Sequence, residues 1–258
     1  MLIFVVTVKP AELSDDWTRF SAMVRRTVAS LTRQTSPAYR VVVVHDTPPD
    51  DALEHPNVDY LPVSLPIPHD WATMENDKAR RLLAGIDFAR RYRPTHVMAV
   101  DADDVVSVRL AAFVAANPDT PGWVCRQGYI WPSGRPVVLR ERRGFAELCG
   151  SSLILGERIV GEFFREESVA FRGGLRLPPG SLWFDHQRTQ LDSGETLASL
   201  PFPGAVYLVL HGENIRATGD LVRERLVLRS IAGLPAKVLR RPPRLVTARF
   251  RQEFGLQP

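Results

Sequence analysis

The sequence has few cysteines and no long apolar run. Its two cysteines, Cys125 and Cys149, stand alone among 258 residues, so they form neither a disulfide framework nor a zinc-binding pattern. Sparse cysteine is typical of a reducing compartment. Residues 1–10 lack the basic start of a signal peptide, and no segment approaches the ~20 apolar residues of a membrane span. We therefore expect a cytoplasmic protein.

The body of the chain lacks net positive charge, which is concentrated at the end of the chain. The formal net charge is +4, but residues 220–258 hold nine basic and three acidic residues, which leaves residues 1–219 at −2. With its interspersed leucines and valines, this segment predicts a basic amphipathic helical tail. It could contact the inner face of a membrane or an anionic acceptor, or pack on the domain with a solvated basic face. No nucleic-acid recognition motif accompanies the charge, so we expect no nucleic-acid partner.

Apolar runs alternate with helical patterns, and internal repeats are lacking. The sequence predicts helices over 16–34 and 75–92, the second with Ala79, Leu82, Leu83, Ile86 and Ala89 buried. Buried strands separated by helices indicate an α/β fold with a mostly parallel central sheet and helices on both faces. Strands are predicted over 2–8, 40–46, 58–63 and 97–100, then around 123–125, in a hairpin over 128–139, over 153–155 and directly before His211.

Three carboxylates follow the strand over 97–100: Asp101, Asp103 and Asp104. Side chains alternate along a strand, so Asp101 and Asp103 should project to the same side. Two neighbouring carboxylates repel each other unless they share a cation, for which Mg²⁺ or Mn²⁺ is suited. Such an ion could hold nucleotide phosphates. The alternative is a loop whose Asp caps the next helix.

Polar residues also end two other predicted strands. Thr7 and Lys9 follow the first strand, and Asp46 ends the second. Ligands of open α/β sheets bind outside the carboxyl ends of the strands. We therefore expect Thr7, Lys9, Asp46 and the acidic cluster to meet at one edge of the sheet.

These residues resemble the GT-A fold nucleotide-sugar glycosyltransferases, close to glycosyltransferase family 2, over about residues 1–215. The matching segments are V-V-T-V-K, the helix V-R-R-T-V-A-S-L-T-R-Q-T, V-V-V-V-H-D-T, N-D-K-A-R-R-L-L-A-G-I and the Asp-x-Asp signature within V-M-A-V-D-A-D-D. The resemblance implies nucleotide contacts by Asp46, Lys78, Arg81 and Asp101. It also implies metal ligation by Asp103, with Asp101 and His211 as further candidates.

The resemblance implies a metal-dependent transfer of sugar from a nucleotide-diphosphate sugar, most simply a UDP-sugar, to a hydroxyl group. The acceptor would be a glycan, a lipid-linked molecule or a small molecule, and the cofactor Mn²⁺ or Mg²⁺. The resemblance favours a reaction that inverts the configuration of the anomeric carbon. A single GT-A domain would span 1–219, with a nucleotide-binding half over 1–107 and an acceptor half over 108–219, followed by the tail over 220–258.

The chain departs from the family where a catalytic base is expected. Inverting members carry a carboxylate pair, often Glu-Asp, but no Glu-Asp follows Asp104. The nearest substitutes are Asp185, which could instead be a helix cap, and His186, whose ordinary pKa lies nearer neutrality. Tyr129, Trp131 and Trp183 could stack on sugars or belong to the core.

Two other functions fit part of the pattern. The run D-A-D-D-V also matches haloacid-dehalogenase-like phosphatases, in which Asp101 would be the nucleophile. Those enzymes place this strand near the N-terminus and need a downstream acidic pair, which is not evident here. The remaining alternative is a non-catalytic nucleotide-sugar-binding module that has lost its base.

Overall fold

The computed structural model describes residues 1–166, 180–209, 211 and 241–256. Strands and helices alternate along most of the first half, and short strands dominate the second. Short 3₁₀ helices cover Ala11–Leu13, Arg90–Tyr92, Phe145–Glu147 and Val160–Phe163. The longer elements are β1 (Leu2–Thr7), α1 (Trp17–Leu31), β2 (Tyr39–His45), β3 (Val58–Pro62), α2 (Trp71–Ala89), β4 (His96–Asp101), β5 (Val105–Val106), α3 (Leu110–Ala115), β6 (Gly122–Val124), β7 (Gly128–Pro132), β8 (Val137–Glu141), β9 (Leu153–Gly156), β10 (Phe164–Glu166), β11 (Leu182–Phe184), β12 (Ala198–Ser199), β13 (Ala205–Val209), β14 (Pro243–Leu245) and α4 (Ala248–Glu253).

The central sheet has seven strands in the order β12-β6-β9-β4-β1-β2-β3. Strands β1 to β4 run parallel, and β9 is antiparallel to its neighbours β4 and β6. Thr7 lies in register with Val44 on one side and Asp101 on the other. The carboxyl ends of β1, β2 and β4 therefore meet at one edge. The architecture is consistent with the GT-A-like Rossmann fold that the resemblance implies.

Helices cover both faces of this sheet because alternate residues of β1 are apolar on each side. Phe4 faces α1 and packs in one buried cluster with Val24. Val5 faces α2 and packs in a second cluster with Leu82. At Gly85 a Cβ atom would lie 2.5 Å from Val5 Cγ1, so only glycine lets α2 approach this closely. The predicted α/β class, with a mostly parallel sheet between helices, is confirmed.

Helix α2 begins four residues before its predicted start. Asp70 caps it: the carboxylate accepts a hydrogen bond from the Thr73 backbone N–H at 2.7 Å, and Thr73 Oγ1 accepts one from the Asp70 N–H at 3.0 Å. This capping box satisfies two backbone donors that a helix start leaves open. This capping box follows a proline-rich stretch, so the sequence pattern did not predict a helix start at Asp70.

One predicted core residue of α2 is wrong. Leu83 is 37% exposed, because the stripe of Leu82, Ile86 and Ala89 faces the sheet and Leu83 lies one helical step, about 100°, away. The space beside that stripe is taken by Arg81, which is fully buried. A buried arginine needs partners, and those partners belong to the candidate site.

A second sheet of five strands, β14-β8-β7-β13-β5, extends the fold. It contains the predicted hairpin, since β7 and β8 pair antiparallel. Strand β13 runs parallel to β7 and antiparallel to β5. Because β5 directly follows Asp104 and β13 leads to His211, this sheet connects the acidic cluster to the late histidine.

The last described segment, residues 241–256, packs on the body. Strand β14 pairs with β8, and Phe254 is 2% exposed beside Tyr129. Ser30 Oγ donates a hydrogen bond to the Phe254 carbonyl oxygen at 2.7 Å. Residues 212–240, which carry most of the predicted tail, lie outside the described residues. In the part of the chain that the structure describes, no helix has the length and apolarity to cross a membrane.

Candidate functional site

A cavity of about 150 Å³ opens at the carboxyl ends of β1 and β4, beside α2. The predicted edge of the sheet therefore forms a concave site. Leu148, Phe184 and Tyr207 from the second half close its other side. Seven predicted site residues line the cavity together: Thr7, Lys9, Lys78, Arg81, Asp101, Asp103 and His186.

Asp101 lies in the cavity wall next to a cation. Lys78 Nζ is 2.5 Å from Asp101 Oδ1, and the Asp101 backbone N–H donates to Ser151 Oγ at 2.8 Å. Gly150 packs so closely that a Cβ atom there would lie 2.6 Å from Asp101 Oδ2. The position of this carboxylate is thus fixed from three directions.

Asp103 pairs with the late histidine. His211 Nε2 lies 2.8 Å from Asp103 Oδ2, and the histidine side chain is 2% exposed while that of Asp103 is 14% exposed. The residues are 108 positions apart, and β13 brings them together. Asp103 and His211 therefore lie in contact in the structure, whereas in the sequence only the resemblance placed both at one metal site.

Asp104 has a role that the sequence did not reveal. It is fully buried, where its Oδ2 accepts hydrogen bonds from Ser151 Oγ at 2.7 Å and Cys149 Sγ at 3.1 Å. Its Oδ1 accepts from the Leu208 N–H at 3.2 Å. Burial, then the charges of its two acidic neighbours, raises the pKa of Asp104 well above its usual range. Asp104 therefore ties the end of β4 to β13.

The small-residue run Cys149–Ser152 was visible in the sequence as the only signal for this buried network. Burial raises the pKa of the Cys149 thiol well above its usual value, so the thiol stays protonated and can donate. Ser151 Oγ accepts from the Asp101 N–H and donates to Asp104. One serine thus holds two members of the acidic cluster.

Arg81 contacts protein groups through most of its guanidinium. Its Nε lies 2.8 Å from Asp77 Oδ2, its Nη1 donates to the Val63 carbonyl at 3.0 Å, and its Nη2 lies 3.8 Å from Asp46 Oδ2. Asp77 was not predicted, although its spacing of four from Arg81 is the ordinary one for a helical ion pair. Arg81 thereby connects α2 to the ends of β2 and β3.

The two candidate bases occupy different positions. Asp185 Oδ1 accepts hydrogen bonds from the backbone N–H groups of Gln187 and Arg188 at 3.2 and 3.1 Å. This carboxylate caps a turn rather than the helix considered as its alternative role. His186 is the one that lines the cavity. The geometry favours His186 as the group that meets a substrate.

Helix α2 also holds the strand that leads to His186. Asn76 Oδ1 accepts from the Leu182 N–H at 2.8 Å and from Arg80 Nε at 3.1 Å. Arg80 Nη2 donates to the Gly180 carbonyl at 3.0 Å. One helix therefore positions Lys78 on one side and β11 on the other, a link that spans about 100 residues and leaves no mark in sequence periodicity.

Aromatic residues divide between packing and the cavity. Tyr129 contacts the rings of Phe250 and Phe254 with centroids 5.2 and 5.6 Å away, and Trp131 lies 6.3 Å from Phe250. These two residues belong to the packing of α4. The cavity is lined by three aromatic residues that the sequence did not indicate, Phe20, Phe184 and Tyr207. Burial raises the pKa of Tyr207, which lies on β13.

Comparisons with known proteins bear on the fold only. No protein-family model and no curated protein matches the sequence. The structure is similar to that of S. aureus TarS 1-349, with a TM-score of 0.42 and 11% identity over 92% of this chain and 74% of that one. A longer S. aureus TarS structure matches with the same TM-score and identity over 90% of this chain and 43% of that one. Likeness at this level carries no argument about activity, which must come from the site.

Proposed function

We propose that this protein transfers a sugar from a nucleotide-diphosphate sugar to an acceptor hydroxyl, with the help of a divalent cation. The observation that carries the proposal is the meeting of Lys78, Asp101 and Asp103 in one cavity at the carboxyl ends of parallel strands, where Lys78 pairs with Asp101 and the buried His211 pairs with Asp103. Open α/β sheets bind nucleotides at that edge. Carboxylates can bind a metal ion and basic side chains can bind phosphates, so the two together suit a ligand that carries both.

The residues fit a Mg²⁺ or Mn²⁺ ion that is shared with the donor. Among the described residues, no group of three or more His, Cys, Asp or Glu side chains could hold an ion by itself. Asp103 and His211 offer two ligands, and Asp101 lies in the same cavity. Mg²⁺ commonly takes one or two protein carboxylates and completes its shell with substrate phosphates and water. When bound, such an ion neutralises the charge of the leaving diphosphate.

The protein side chains would hold the donor at its charged end. Lys9 and Lys78 line the cavity and would supply positive charge for the phosphates. Asp46, fixed near Arg81 just beyond β2, is the proposed partner of the nucleobase or ribose. Thr7 ends β1 beside Asp101 and adds a hydroxyl to the same wall. A UDP-sugar is the donor that we propose.

His186 is the proposed base for the acceptor. The acceptor oxygen forms the new bond to the anomeric carbon as the bond to the diphosphate breaks, and its proton passes to His186. This course inverts the anomeric centre. Asp185 holds the turn through the N–H groups of Gln187 and Arg188, so we give it a positioning role. The acceptor would be a glycan, a lipid-linked molecule or a small molecule.

The experiment is to measure hydrolysis of nucleotide-diphosphate sugars with Mn²⁺, beside hydrolysis of p-nitrophenyl phosphate. Slow release of sugar from one donor, dependent on Mn²⁺ and absent in Asp103→Ala, would support the proposal. Release of p-nitrophenol that requires Asp101 would instead indicate a phosphatase. Nucleotide binding without any turnover would indicate a non-catalytic module.

A further inference from the structure

A second pocket, the smaller of the two by the number of residues that line it, lies next to the proposed active cavity. Its volume is also about 150 Å³, roughly tenfold the 10–15 Å³ that one water molecule needs. Its lining includes Arg126, Arg143, Glu147, Gln187 and Thr189. The pocket thus combines two guanidinium groups, one carboxylate and two neutral hydrogen-bonding side chains.

The two pockets are lined by neighbouring residues of the chain. Leu148 and His186 line the larger cavity, and their chain neighbours Glu147 and Gln187 line the smaller pocket. Lys9 and Lys78 are among the residues that line only the larger cavity. A molecule whose hydroxyl group reaches His186 could therefore extend into the smaller pocket without crossing the proposed donor site.

The loop that carries Arg143 is held in place by a buried carboxylate. Glu141 Oε1 accepts hydrogen bonds from the backbone N–H groups of Arg142, Arg143 and Gly144, and its Oε2 lies 2.6 Å from Arg241 Nε. Burial opposes the charge of Glu141, but Arg241 and these N–H groups outweigh it and lower the pKa. The anchor is ionised and the loop preorganised.

The guanidinium of Arg143 has no hydrogen-bond or ion-pair partner among the residues described, and it is exposed. In the guanidinium of Arg126, Nε donates a hydrogen bond to Ser199 Oγ at 3.0 Å, and no bond from its Nη1 or Nη2 to another described residue is seen. Guanidinium groups bind carboxylate and phosphate oxygens through paired N–H donors. Two arginines with Thr189 and Gln187 offer more donors than the two oxygens of a carboxylate require, and they suit a phosphate group.

We propose that this pocket binds a phosphate group of the acceptor, so that the acceptor is a phosphorylated molecule. The inference rests on the proposed glycosyl transfer, because it takes the hydroxyl next to that phosphate to be the one that reaches His186. Glu147 at the rim would hydrogen-bond to a neighbouring hydroxyl of the same molecule.

The test uses glycerol 1-phosphate as the probe, titrated calorimetrically into the full chain without metal. We expect wild type to bind it, Arg126→Gln/Arg143→Gln to bind it about tenfold or more weakly because two charge-assisted contacts are lost, and Arg142→Gln to bind it as wild type does. Arg142 is the matched control, since it is an exposed arginine next to Arg143 outside the pocket lining. Equal affinity in all three proteins, or no binding to wild type, would overturn the proposal.

Two further arms identify the ligand chemistry and the site. Glycerate and glycerol should bind much more weakly than glycerol 1-phosphate, and glycerate binding as tightly would replace phosphate by carboxylate. UDP with Mn²⁺ should bind wild type and the double variant alike. Loss of UDP binding only in the double variant would assign the pocket to the donor and overturn the acceptor assignment. Failure of wild type to bind any nucleoside diphosphate would defeat the proposed function and leave the phosphate result to stand by itself.

Discussion

In residues 1–107 most site side chains lie at the ends of parallel strands and the others lie on α2, whereas in the described part of residues 108–211 they lie on turns and after a strand of the second sheet. Thr7, Asp46 and Asp101 follow or end β1, β2 and β4, whose register brings them together. His186 follows β11, which depends on Asn76 of α2 for its place. Regular pairing fixes the first set, and a few long-range side-chain contacts fix the second. Substitutions of supporting residues should therefore affect the two sets differently.

The largest expected effect separates the two candidate bases of the second half. His186→Ala should leave nucleotide affinity unchanged and lower turnover by about 10²–10⁴-fold, the usual contribution of a general base. Steady-state kinetics beside calorimetric titration of UDP would measure both. Asp185→Asn is the matched control, because an amide oxygen can still cap the turn. A loss confined to Asp185→Asn would make the aspartate the base.

The packing of the C-terminal segment on the second half can be tested at Phe254. Phe254→Ala should lower the free energy of unfolding by about 3–5 kcal/mol, as truncation of a buried phenylalanine does. Leu245→Ala, in the same segment but 68% exposed, should stay within about 0.5 kcal/mol. Urea denaturation of both variants gives the values. Equal, small losses would mean that residues 241–256 do not stabilise the body.

The link between the two halves is tested at Asn76. Asn76→Ala leaves the Leu182 N–H without its partner, which costs about 1–3 kcal/mol when buried and loosens β11. Turnover should fall about tenfold, with UDP affinity unchanged, and Asn76→Asp should restore turnover since it keeps the acceptor oxygen. If UDP affinity falls and turnover at saturation does not, α2 serves the donor alone.

The smallest expected effect lies in the first half, at the close contact behind Asp101. Gly150→Ala would put a methyl group 2.6 Å from Asp101 Oδ2, so the carboxylate must move. We expect about tenfold weaker binding of UDP with Mn²⁺, equivalent to about 1.4 kcal/mol. At Gly161 an added methyl group meets nothing within 4 Å, so Gly161→Ala should bind UDP normally. Normal binding by both variants would show that the exact place of Asp101 matters little.

The same difference between the halves determines what the sequence could predict. Thr7, Lys9, Asp101 and Asp103 were predicted to meet because parallel strand ends share one edge, and the structure brings them to one cavity. The buried role of Asp104 could not be predicted. It depends on Cys149, Ser151 and Leu208, which lie 45 to 104 residues away.

Local sequence patterns also gave wrong predictions for the start of α2 and for the burial of one of its residues. The start of α2 was predicted four residues too late, because the capping box at Asp70 follows a proline-rich stretch and lies ahead of the apolar periodicity. Leu83 seemed a core residue by apolarity, but it lies about 100° around α2 from the stripe of Leu82 and Ile86 that faces the sheet, and it is 37% exposed. Asn76 and Arg80 form hydrogen bonds to Leu182 and Gly180, at and before the strand that leads to His186. No sequence periodicity predicts these contacts.

The proposed function requires above all that a nucleoside diphosphate and a divalent cation bind together at Asp103. The direct measurement is calorimetric titration of UDP into wild type, Asp103→Ala and Asp119→Ala, each with and without Mn²⁺. We expect Mn²⁺ to strengthen UDP binding to wild type and to the control, whose substituted side chain is exposed, and to have no effect on Asp103→Ala. If Asp103→Ala binds UDP with Mn²⁺ as tightly as wild type does, the proposed metal site is wrong.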